Sequence, residues 1–257
     1  MSEKDIWKKY PEKKIIEEGN YSIVYKAKNN ETGKYVAIKE INKQKYKINI
    51  KELKEEIEEI EKINSDNIVK IKEIIELNNI LYIIMDLYSI DLKNYLLNRD
   101  KPLSINEVKE ILFQLNNILK KLNEVNNFNI INLDISNILI DLNEINKISI
   151  KLAYLNLNKF IEESEISVNL AKKTFLTTPP EILNGESYNN KSDIWSLGII
   201  IYYMLNKKYP YDGKNEHNLY QNIISNQNIE LNKDEELNNL FKRMLIIEVN
   251  ERISFIF

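Results

Sequence analysis

The sequence predicts an α+β fold in which a small antiparallel sheet precedes a larger, mainly helical part, and three observations carry that expectation. Residues 12 to 41 alternate apolar and polar side chains in short runs broken by turn residues. Residues 47 to 63 place apolar side chains at helical spacing among acids and lysines. Beyond Tyr88 helical periodicity dominates, with one short strand-like interlude. No self-similarity recurs at periods of about 20 to 50 residues, which argues against a solenoid.

The elements follow in order. Turns at Glu18-Gly19-Asn20 and Asn29-Asn30-Glu31-Thr32-Gly33 separate the first strands. From Lys47 to Ile63, the residues Ile50, Leu53, Ile57, Ile60 and Ile63 recur three and four apart, the pattern of an amphipathic helix. Ile68 to Glu76 and Ile80 to Leu87 read as two further strands. Ile105 to Val125 and Ser192 to Leu205 are the clearest later helices, with Ile138 to Leu157 strand-like between them.

At 257 residues the chain can bury a large core as one domain or two packed lobes without crosslinks. It has no cysteine, which excludes disulfides and thiolate metal sites. A single histidine, His217, excludes multi-histidine metal centres and argues against a Ser-His-Asp triad. The charged start MSEKDIWKKYPEKK and a longest apolar run of only Leu197 to Leu205 predict a soluble, intracellular, cytoplasmic protein without membrane insertion. A net charge of −3 with both signs intermixed offers no field to recruit nucleic acid or membrane, so any phosphate site must be local.

Five separated segments, taken together, resemble the eukaryotic-type protein kinase signature and span nearly the whole chain. Val36-Ala37-Ile38-Lys39 resembles the strand carrying the nucleotide-binding lysine, and Glu56, upstream of Asn67-Ile68-Val69, resembles the helix glutamate that pairs with it. Pro179-Pro180-Glu181 is similar to the close of the activation segment, Ser192 to Gly198 to the central helix of the large lobe, and Arg252 to the arginine that pairs with that segment's glutamate. The resemblance implies a bilobal fold: a five-stranded sheet plus one long helix over residues 1–86, a helical lobe over 87–257, and a hinge at about 86–90. It also implies ATP as the nucleotide and a Ser/Thr rather than Tyr type, from the Thr174 to Glu181 stretch.

Carried over position by position, the resemblance names the site. Lys39 would hold the α- and β-phosphates with Glu56 fixing its ammonium, although a solvated strand lysine beside one of several helix acids would look the same. Val24 and Ala37 would cover the adenine, Met85, Asp86 and Tyr88 would form the gatekeeper and hinge, and Leu139 would complete the nucleotide site. Asp134, in Asn132-Leu133-Asp134, would be the base toward the substrate hydroxyl, or else cap a turn.

The departures cluster on phosphate and metal chemistry. The pattern G-x-G-x-x-G-x-V falls on Glu17-Glu18-Gly19-Asn20-Tyr21-Ser22-Ile23-Val24 and keeps only Gly19, while Glu17 brings a negative charge close to where an anion would lie. The catalytic loop, Asp134-Ile135-Ser136-Asn137, is two residues shorter than the family's and lacks its lysine. In Ile150 to Leu157, Tyr154 stands where the metal-binding aspartate belongs, and a neutral phenol is a poor ligand for Mg²⁺. Losing that metal would slow phosphoryl transfer roughly a thousandfold or more. Two functional readings follow: a pseudokinase acting through nucleotide or partner binding, which we prefer, and an active Ser/Thr kinase with an atypical metal site built from Asn137 and Asn156. An interaction domain without a nucleotide role is the third.

Overall fold

The computed structural model describes residues 2–18, 22–43, 49–63, 65–124, 133–141, 148–153, 175–231 and 234–254. Its backbone divides into two units: the described residues of the first lie within Met1–Asn64 and Val69–Tyr88, those of the second within Ser65–Ile68, Ser89–Asn156 and Ala171–Phe257.

In the first unit a helix, α1 (Glu3–Lys9), precedes strands β1 (Lys13–Glu18), β2 (Ser22–Lys28) and β3 (Tyr35–Asn42), helix α2 (Ile50–Glu61), and strands β4 (Ile71–Glu76) and β5 (Ile80–Asp86). The strands form one antiparallel sheet in the order β1-β2-β3-β5-β4, the five-stranded sheet the sequence implied. The β2–β3 turn closes because the Asn29 carboxamide oxygen accepts from the Glu31 and Thr32 amides at 2.8 and 3.1 Å, and Gly33 takes a φ of 69° that a side chain would disfavour.

Register sorts the sheet into two faces, since residues directly opposite on antiparallel neighbours project to the same side. Tyr25, Ala27, Val36, Ile38, Ile75, Tyr82 and Ile84 share one face and pack with Ile6 and Tyr10 as a single apolar cluster. Helix α1 was not legible in the sequence. At seven residues it is too short to be stable alone, and it persists because Ile6 is fully buried, Trp7 packs edge-on to Tyr25 and Tyr82, and the Asp5 carboxylate accepts from Ser2 at its N-terminus. Val24, Ala37, Lys39, Ile83 and Met85 occupy the opposite face.

Helix α2 buries Leu53, Ile57 and Ile60, as the periodicity predicted, and Glu56 with them, whereas Ile50 is half-buried and Ile63 lies beyond the helix end; an ion pair of 3.5 Å from Lys54 to Glu76 joins it to the end of β4. The strand expected from Ile68 begins only at Ile71. Ile68 instead forms a parallel bridge to Leu152 in the second unit, where the neighbouring Asn67 side chain donates to the Ile150 carbonyl at 3.0 Å and to Gln114.

The second unit contains β6 (Ile90–Asp91), α3 (Leu92–Leu97), α4 (Ile105–Glu124), β7 (Ile138–Asp141), β8 (Ser149–Leu152), α5 (Pro180–Leu183), α6 (Asn190–Asn206), α7 (Glu216–Ser225) and α8 (Glu235–Met244). β6, β7 and β8 form a small antiparallel sheet. The core is built on α6, which buries residues on every side from Ser192 to Leu205 except Tyr202. A Cβ on Gly198 would lie 2.9 Å from the Leu245 side chain, so this position lets the segment after α8 approach the helix closely. Trp195 stacks on Tyr211 in a cluster with Ile199, Leu219 and Ile223.

Candidate functional site

The expected nucleotide residues of the first unit assemble by strand register. Val24 is directly opposite Lys39, and Ala37 directly opposite Met85, on adjacent pairs of one sheet face. Lys39 is part-buried; burial pushes its ammonium pKa down, and the Glu17 carboxylate acts against that shift. Among the described residues no hydrogen bond or ion pair joins Lys39 to Glu56, which is buried on α2. Asp86 projects from the other face, pairs with Lys72 at 2.6 Å, and donates its amide to the Lys70 carbonyl at 3.1 Å. Tyr88, two residues beyond β5, is half-buried.

The second unit holds Asp134, Asn137 and Leu139 in a tight run. Asp134 caps a one-turn 3-10 segment, Ile135–Asn137, and its Oδ1 accepts from the Ser136 amide at 2.8 Å and from the Ser136 hydroxyl. The turn leads straight into β7, where Leu139 pairs with Asp91 on one side and Lys151 on the other. Helix α3 packs against the turn. Asp134 is buried, and burial raises its carboxyl above the ordinary aspartate value. The Ser136 hydrogen bonds and the Lys93 charge oppose that rise, while Asp91 adds to it. Ser136 and Lys93 were missed in the sequence; the Asp-x-Ser spacing was the available signal for the first, because an aspartate readily accepts from the residue two positions on. Leu133, which precedes Asp134, is fully buried and apolar.

Asn137 accepts through its backbone carbonyl from the Ala153 amide at 2.7 Å, so the chain immediately before Tyr154 is tied to the end of the Asp134 turn. Gly19, Tyr154, Asn156 and Thr174 themselves lie outside the described residues. The magnesium expected of the fold is tested by the donors that are described. Asn137 is a neutral amide, and among the described residues no group of three or more Asp, Glu, His or Cys side chains could hold a metal ion. A neutral amide matches poorly the anionic oxygens Mg²⁺ prefers.

A third constellation is structural. Arg252 grips Glu181 bidentately, with Nη1 to Oε1 at 2.8 Å and Nη2 to Oε2 at 2.9 Å, and also donates to the carbonyls of Lys191, Ile246 and Ile247. Ser192 donates its hydroxyl to Glu181, and the guanidinium lies over the Trp195 ring. Burial alone would raise the Glu181 carboxyl, but the hydrogen bonds and charge of Arg252 overcome it and hold Glu181 below the ordinary glutamate value. On α6, Asp193 accepts the Tyr188 hydroxyl at 2.5 Å.

A sheet face presenting a part-buried lysine, a buried aspartate on a tight turn, and a buried Glu–Arg clamp under a central helix define a kinase-like domain. Comparison with known proteins places it in a family. The protein kinase domain model matches residues 10–256. The chain is 27% identical over 252 residues to the serine/threonine-protein kinase SIK1 of Rattus norvegicus, covering 95% of this chain and 31% of that protein. It is 30% identical over 229 residues to the serine/threonine-protein kinase Nek1 of Mus musculus, covering 84% and 18%. It is 30% identical over 218 residues to calcium-dependent protein kinase 6 of Plasmodium berghei (strain Anka), covering 84% and 14%. The chain belongs to the protein kinase domain family and is Ser/Thr-kinase-like, and it spans less than a third of the length of these relatives. Membership implies ATP as the family's nucleotide. No described helix is long and apolar enough to cross a membrane.

Proposed function

We propose that this domain is catalytically impaired and acts through nucleotide binding, partner binding or both. The observation that carries the reading is the state of Asp134: its Oδ1 is held by the amide and hydroxyl of Ser136 in a turn too short to carry the family's lysine. An aspartate so used works as a cap, and the phosphate-neutralising cation beside it is gone from its usual loop. Tyr154 in the metal-binding position points the same way. Val24, Ala37, Met85 and Lys39 on one sheet face supply apolar cover and one cation, which suits an adenine nucleotide. The expected setting is intracellular, with a protein as partner.

One observation favours the alternative, an active Ser/Thr kinase. Burial raises the Asp134 carboxyl, which makes it a better proton acceptor, and among the described residues nothing donates to its Oδ2. Thermal shift of the purified chain with ATP, alone and with Mg²⁺ or Mn²⁺, tests the proposal. A shift by ATP that metal does not increase is the expected result; a shift that requires metal favours the alternative, and no shift with any addition removes the nucleotide role.

A further inference from the structure

Strand β1 is irregular at one point, and the irregularity decides where Glu17 points. Ile15 is opposite Tyr25, but the next pair is Glu17 with Val24, so Ile16 is an extra residue in a β-bulge. Strict alternation would set Glu17 on the face of Ile15 and Tyr25, against α1. The bulge reverses this and places Glu17 on the face of Val24 and Lys39. Glu17, Val24 and Lys39 then form one continuous row across β1, β2 and β3. Only the Val24 side chain separates the two charged residues, a gap two long side chains can close. The other cations of that face on β1 and β2 are placed differently: Lys26 sits over the Tyr35 ring at 4.5 Å, Lys28 pairs with Glu12 at 3.5 Å, and Lys14 lies on the far side of the bulge. The electrostatics agree, since among the described residues Glu17 is the charge that raises the proton affinity of Lys39 against its burial.

We infer that Glu17 is a specificity-determining residue, an internal counter-ion for Lys39 that discriminates against polyphosphate ligands and favours nucleosides or nucleotides with little phosphate charge. This rests on the nucleotide reading above and deepens it. A phosphate approaching Lys39 must displace the carboxylate or bear its repulsion, whereas an adenosine moiety resting on Val24 and Ala37 meets no such opposition. Because Glu17 is solvent-exposed, salt weakens the effect.

Two measurements on the full chain and its Glu17→Gln variant test this. In the ligand-free protein, NMR titration of the labelled Lys39 Cε–Hε group is expected to show the variant lysine losing proton affinity by about threefold at low salt, and less so at about 1 M salt. An unchanged Lys39 titration overturns the inference, whatever the ligand data show. Calorimetry with adenosine and with metal-free ATP is expected to give comparable affinities for the native chain and a gain of about fivefold for ATP relative to adenosine in Glu17→Gln. ATP binding far more tightly than adenosine to the native chain, with no change in the variant, also overturns it. If neither ligand binds either protein, the nucleotide reading and the discrimination built on it both fall, while the titration still decides whether Glu17 and Lys39 are partners.

Discussion

Glu181 and Asp134 are both buried carboxylates of the second unit, yet their surroundings drive them in opposite directions. Glu181 meets a guanidinium fork and a serine hydroxyl, and is held below the usual glutamate value. Among the described residues Asp134 accepts hydrogen bonds only from the amide and hydroxyl of Ser136, and burial leaves it above the usual aspartate value although the Lys93 charge opposes that rise. The difference separates two uses of buried charge. A carboxylate whose hydrogen-bonding capacity is filled by a cation anchors structure; one that is buried and half-used is a site of stored cost, of the kind kept for chemistry or left behind when chemistry is lost.

The largest test of that contrast is Arg252→Ala. It leaves Glu181 buried without its partner and is expected to cost about 3–5 kcal/mol in urea unfolding at pH 7. Glu181 has a lowered folded pKa, so its contribution is complete above the ordinary value of 4.5 and is lost as pH falls through the folded value. The Arg252→Ala penalty should therefore shrink in acid, and a penalty independent of pH between neutrality and pH ~3 breaks the assignment. Next comes Tyr154→Asp, which restores an anionic oxygen and is expected to make nucleotide affinity rise about tenfold with Mg²⁺, read by calorimetry. An affinity indifferent to Mg²⁺ counts against the placement of Tyr154 at the metal position.

Asp134→Asn is smaller and opposite in sign to Arg252→Ala. Asparagine keeps an oxygen for the Ser136 donors but removes a charge that burial penalises, so a stability gain of about 1 kcal/mol is expected at pH 7. Because the folded pKa of Asp134 is raised, its cost is absent below the ordinary value of 3.8 and grows as pH rises through the folded value; the gain should vanish near pH ~3. A loss of stability at pH 7 would mean that Asp134 is structural after all. Lys72→Ala, which breaks a part-exposed pair with Asp86, should change stability by about 0.5 kcal/mol or less.

The contrast also explains what could be read in advance. Glu181 and Arg252, 71 residues apart, are legible only through the resemblance to the kinase family, and the bidentate clamp shows the pair that the resemblance implied. The sheet and the helices α2 and α4 follow from periodicity that burial enforces, whereas α6 is apolar and buried on nearly every side. Helix α1 was not legible because tertiary contacts of Ile6, Trp7 and Tyr10 stabilise it, and a charged segment of that length has no pattern long enough to read. Ile68 reads as strand by composition, but a bridge to Leu152 takes it into the other unit. Glu17 could be suspected from its charge alone; its alignment with Lys39 depends on a bulge at Ile16, and a bulge formed by isoleucine leaves no glycine or proline to announce it. The Ser136 hydroxyl on Asp134 is likewise a matter of turn geometry, since Ser136 in the sequence is one polar residue among several.

The direct test of the central claim is transfer of labelled γ-phosphate from ATP, with Mg²⁺ or Mn²⁺, to the chain itself and to a generic basic protein. Impaired catalysis predicts no incorporation above that of Lys39→Ala and Asp134→Ala. Incorporation by the native chain that both substitutions abolish would contradict it.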